Sequence, residues 1–142
     1  MKALALILLA LLPVSGFGMD RLSALSMLET GNDDRAIGSA GEISRFQVKK
    51  AEWQSVTNSA NYCDFGTARA VMTQIMEKRV NAFKAHFGRQ PSDYEFYALW
   101  NAPSQVMEGR VTPKVAGRCE RFANLCARDR KPMQLAVAKP GW

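Results

Sequence analysis

Residues 64–88 read DFGTARAVMTQIMEKRVNAFKAHFG. Ala68, Val71, Met72, Ile75, Ala82, Phe83 and Phe87 recur at three- and four-residue steps, while Glu77, Lys78 and Lys84 fall between them. That spacing is one apolar face of a long helix. Asp64 or Thr67 opens it, and Gly88 followed by Pro91 closes it. Downstream, Ser92 and Glu95 form a capping-box pattern ahead of Tyr94, Phe96, Tyr97, Leu99 and Trp100, and Pro103 interrupts the run. Thr112 before Pro113 is a further helix start, and Val115, Cys119, Phe122 and Cys126 give that helix one apolar side. Upstream, Asp20 caps a segment in which Leu22, Leu25 and Leu28 repeat, widened by Ala24 and Met27 and ended by Gly31 and Asn32. Residues 32–41 are polar and carry Gly38 and Gly41, which predicts a loop. Residues 43–56, with Phe46, Val48, Trp53 and Val56 apolar, predict one or two short helices. No convincing alternating strand pattern is present, so the fold class is all-α.

With 142 residues the chain has room for one domain. Lys2, the uncharged run of residues 3–14 and the small residues Ser15, Gly16 and Gly18 around Phe17 have the form of an export signal cut after Gly18. The run is shorter than the roughly 20 residues of a membrane span. The expected product is residues 19–142, secreted or periplasmic, with no stable membrane insertion. It keeps 18 basic and 13 acidic residues, a net charge of +5. Such a surface attracts anionic polymers. For an exported protein that means a carboxylate-bearing cell-wall polymer rather than nucleic acid, unless the charge serves solubility alone. Cys119 and Cys126 lie seven apart in a helix, roughly 10 Å along its axis, beyond disulfide reach. Cys63 either pairs with one of them or all three are small apolar residues. His86 has no neighbouring ligand, and neither metal nor organic cofactor is expected.

One carboxylate breaks the pattern. Glu29 lies four residues after Leu25 and seven after Leu22, on the leucine face. Desolvation there favours the protonated form of a carboxyl group, the form that donates a proton to a departing glycosidic oxygen. The plain alternative is a polar residue reaching solvent from a frayed helix end.

Three segments bear on that choice: LSMLETG at 25–31, GEISRFQV at 41–48 and YALWNAP at 97–103. The first resembles the catalytic helix end of soluble lytic transglycosylases and goose-type lysozymes, where Glu-Ser precedes a loop. The second is similar to that superfamily's Gly-Ala-x-Gly-Leu-Met-Gln-Leu/Ile motif, and the third to its Ala-x-x-Tyr-Asn-Ala-Gly motif. Together, and in order, they span most of residues 19–142. The chain departs from the pattern at Thr30, Glu42, Ser44, Trp100 and Pro103. Trp100 replaces a tyrosine, so any phenol orienting the acid comes from elsewhere, with Tyr97 the candidate. The resemblance implies a lysozyme-like helical domain with a substrate cleft and Glu29 as general acid, then base. It further implies that Gln47 and Asn101 bind sugar, with Ser44 and Glu42 beside them. Gln47 reads equally as a loop-stabilising residue.

Trp53, Tyr94, Tyr97 and Trp100 are either sugar-stacking rings or core, and Tyr97 and Trp100 stand nearest Asn101. The implied reaction is cleavage of the MurNAc–GlcNAc bond of peptidoglycan, with the substrate's own 6-hydroxyl closing a 1,6-anhydro ring. A hydrolase, lysozyme- or chitinase-like, needs a second carboxylate. Asp33, Asp34 and Glu42 are the candidates, and Glu42 stands inside a motif. A glycan-binding envelope protein that does not cut is the non-enzymatic alternative.

Overall fold

A computed structural model describes residues 19–128. The expected signal segment and the basic tail after Arg128 lie outside the described residues. Six helices follow in order: α1 (Arg21–Thr30), α2 (Lys50–Val56), α3 (Phe65–Phe87), α4 (Asp93–Asn101), α5 (Pro103–Met107) and α6 (Pro113–Arg128). The only β features among the described residues are isolated antiparallel bridges, Ile37 with Ile43 and Ile43 with Val48. The all-α class therefore holds. No helix among the described residues is long and apolar enough to cross a membrane.

Local chemistry sets the helix ends. The Asp20 carboxylate accepts from the Leu22 amide, and Gly31 closes α1 in the left-handed region at φ 66°. Asp64 accepts from the Thr67 amide, and Gly88 ends α3 at φ 68°. Pro103 starts α5 and Pro113 starts α6, as a ring lacking an N–H allows only at a first turn. Of residues 43–56, where one or two short helices are expected, 50–56 form α2, while 43–48 fold into a bridged turn in which Ser44 (φ 66°) and Gln47 (φ 55°) adopt the left-handed region.

Helix α4 sits at the centre. Phe96, Tyr97, Ala98, Leu99 and Trp100 are all buried, so this helix is covered on every side rather than along one stripe. α6 packs against both α4 and α1, and α3 packs against α4 and α2. The Phe122 ring lies 5.9 Å from that of Phe96 and 5.4 Å from that of Tyr97. The apolar face expected of α3 is buried at Ala68, Val71, Met72, Ile75 and Phe83. Ala82 and Phe87 are exposed, in the C-terminal part of α3. Trp53 is core, its indole N–H donating to the Ser59 carbonyl at 2.7 Å. Cys63 is exposed, while Cys119 and Cys126 are small buried residues, and burial pushes the Cys119 thiol up to about 11.

The capping box of α4 is complete. Ser92 Oγ accepts from the Glu95 amide, and the Glu95 carboxylate accepts from the Ser92 amide and from Arg89. The Arg89 guanidinium, followed by the Ser92 groups, holds Glu95 down to about 2, from an ordinary 4.5. A carboxyl lowered on folding stabilises the fold above its unfolded value and loses that effect as pH falls through its folded value. Denaturant unfolding should show Ser92→Ala costing about 1 kcal/mol at neutral pH. The stability gap between the native chain and Glu95→Gln should narrow as pH drops from above 4.5 to about 2.

Candidate active site

Glu29 is the last residue but one of α1, and its side chain is only 7% exposed. The helix C-terminus carries partial negative charge, so a carboxylate there needs donors. Two arrive from other helices. Tyr97 of α4 donates its hydroxyl to Glu29 Oε1 at 2.6 Å, and Arg118 of α6 donates from Nη2 to the same oxygen at 3.1 Å. Oε2 takes no hydrogen bond from the described residues, and no buried side-chain oxygen among them lacks a partner. Oε2 is therefore the oxygen presented to the adjoining groove.

That groove has a volume of about 380 Å³, within the usual range for ligand sites. Glu29, Glu42, Gln47, Trp100 and Asn101 all line it, so five of the residues singled out from sequence converge. Two do not. Tyr97 is fully buried and touches the acid rather than the groove; its ring packs under α6, which leaves only the hydroxyl facing Glu29. Burial, followed by the Glu29 charge, raises its phenol far above the ordinary range, so it remains a donor. Ser44 is also buried, because its left-handed backbone turns the hydroxyl inward to accept from the Phe46 amide at 3.3 Å. Trp53 and Tyr94 likewise stand away from the groove.

The loop wall serves structure and groove together. Gln47 Nε2 donates to the Ser44 carbonyl at 3.1 Å, as a loop-stabilising residue does, and the residue also lines the groove. Glu42 Oε2 accepts from the Ala40 amide at 3.1 Å. The ends of Glu42 and Gln47 close over Gly38, so a Cβ at its position would displace both side chains. Thr30 joins this loop to α1, its hydroxyl lying 2.9 Å from the Arg45 carbonyl and accepting from the Asp33 amide. Of the other candidate carboxylates, Asp34 is tied to Arg45 at 2.6 and 2.7 Å, which lowers its pKa, and Asp33 caps its own turn through the Arg35 amide. Neither lines the groove.

Four charged groove residues escaped the sequence reading: Lys49, Glu52, Arg79 and Arg118. Arg79 bonds Glu52 and also donates to the Leu99 and Trp100 carbonyls at 2.9 and 2.7 Å, satisfying the orphaned end of α4. A signal was available. Arg79 lies midway between Ile75 and Phe83, and Arg118 between Val115 and Phe122, so both are charges inside apolar stripes, as Glu29 is. Among the described residues no cluster of His, Cys, Asp and Glu is arranged to hold a metal ion. Comparison with protein-family models, with curated proteins and with solved structures gives no significant match.

The Tyr97–Glu29 bond links a buried phenol to a largely buried carboxylate, and hydrogen bonds to charged groups contribute about 1.5–3 kcal/mol. Tyr97→Phe should lower unfolding free energy by that order without altering helical content by circular dichroism.

Proposed function

We propose that this chain cleaves peptidoglycan glycan strands as a divergent lytic transglycosylase of lysozyme-like fold, with Glu29 as its single catalytic acid and base. The observation that carries this reading is the Glu29 carboxylate itself: one oxygen held by Tyr97 and Arg118, the other free on a groove also lined by Gln47, Trp100 and Asn101. Positioned acid–base groups of this kind contribute about 10²- to 10⁴-fold to rate.

In the first step protonated Glu29 gives its proton through Oε2 to the oxygen between muramic acid C1 and the leaving glucosamine, and that C–O bond breaks. The resulting carboxylate then takes the proton of the muramic 6-hydroxyl, whose oxygen bonds to C1 and closes the 1,6-anhydro ring. No water is consumed. Trp100 offers an apolar surface to a sugar ring, and Asn101 and Gln47 offer amides for acetamido and hydroxyl groups. The basic excess of the chain suits a polymer bearing carboxylates, and the export signal read at residues 1–18 suits a protein that meets the wall outside the cytoplasm.

Glu42 favours a second reading, that of a hydrolase, because it lines the same groove. Digestion of purified peptidoglycan followed by mass analysis separates the two, since anhydro ends lack one water relative to reducing ends. Anhydro products are expected, and Glu29→Gln should lower their release by at least about 10²-fold with the fold retained. Reducing ends whose formation is lost in Glu42→Gln would establish the hydrolase. Binding to insoluble wall without any release would establish a non-cutting glycan-binding protein.

A further inference from the structure

Arg118 stands in an unusual position for a residue beside a proton donor. Its guanidinium lies 3.1 Å from Glu29 Oε1 and 5.6 Å from the centre of the Tyr97 ring, so it touches both members of the Tyr97–Glu29 pair. It comes from the apolar face of α6, between the buried Val115 and Phe122. Its remaining N–H groups find no acceptor among the described residues, and the side chain borders the groove, 32% exposed.

Resting on the reading of Glu29 as acid and base, we infer that Arg118 is a positioning residue that, together with Tyr97, fixes the orientation of the Glu29 carboxylate and reserves Oε2 for the substrate. Two donors on Oε1 leave the carboxylate one orientation, since rotating the group would surrender both bonds. A cation at this distance favours the carboxylate, which assists the second step, where Glu29 accepts a proton, and opposes the first, where it must be protonated. The other charges facing the groove do not duplicate this effect. Arg79 is engaged with Glu52 and the carbonyls that end α4, while Glu42 and Lys49 belong to the loop wall ahead of α2. The consequence is that the direction in which the acid faces depends on one arginine carried by α6.

The test uses the full chain with Arg118→Ala and Arg118→Lys, following anhydro-product release from peptidoglycan against pH. A ¹³C NMR titration of the Glu29 carboxyl runs in parallel, and thermal melts confirm folding. Arg118→Ala is expected to lose about 10- to 100-fold in kcat, with the alkaline limb of its profile and the Glu29 titration midpoint both moved to higher pH. Added guanidinium ion should restore part of the rate. Arg118→Lys should return the limb and the midpoint toward native values, with a smaller recovery of kcat because one ammonium cannot reproduce the planar fork. A native limb and midpoint in Arg118→Ala would overturn the inference, and so would a loss that neither lysine nor guanidinium relieves. If Arg118→Ala does not fold, Arg118→Lys decides: native kcat and an unshifted limb overturn it, reduced kcat with the limb retained supports it. A native chain that binds and cuts no glycan would refute the reading of the site, while the NMR midpoint would still judge Arg118 by itself.

Discussion

The hydroxyl of Tyr97 is the constraint on which the arrangement depends. It belongs to a helix with five consecutive buried residues, so no water reaches it, and a buried phenol needs a partner. Glu29 at the end of α1 supplies the acceptor. That acceptor is a carboxylate at the negative end of a helix, and it in turn calls for the cation that α6 carries. Three helices are thereby locked in mutual register by one oxygen atom, Glu29 Oε1. The groove is what remains beside them.

The charges of the groove follow the same economy. Glu29 with Arg118 and Glu52 with Arg79 are matched pairs drawn from different elements, and Arg79 also closes the carbonyl end of α4. Pairs of this kind contribute little net stability when their desolvation is counted. Their effect is on geometry: each fixes where a helix end sits relative to its neighbour. A polar concavity with pre-oriented donors and acceptors is suited to a hydroxyl-rich ligand, because the ligand finds partners already in place.

The loop of residues 36–48 shows where local reasoning loses its grip. Its apolar residues carry neither a helical nor an alternating period, and of the one or two short helices expected over 43–56 a single one, α2, formed. What decides the segment is a set of bonds between residues distant by a few positions: Ile43 exchanges backbone bonds with Val48, Gly38 donates to the Glu42 carbonyl, and Ser44 and Gln47 spend their side chains on the turn. Two non-glycine residues in the left-handed region are tolerated because those bonds offset the backbone strain. The same turn withdraws Ser44 from the groove while leaving Glu42 and Gln47 on it.

The sequence by itself determined the class of the fold and the existence of α1, α3, α4 and α6 with their capping residues, but not α5. Caps, left-handed glycines and proline at first turns act within about four residues, so Asp20, Asp64, Ser92 with Glu95, Gly31, Gly88 and Pro113 could be read directly. It also marked Glu29, because a charge on an apolar stripe violates a local rule. Only the tertiary structure decided what surrounds that charge. Tyr97 lies 68 positions away and Arg118 lies 89 away, separations over which periodicity carries no information. Packing alone turned Tyr97 inward onto the acid and left Trp100 on the groove, because α6 covers one side of α4 and not the other.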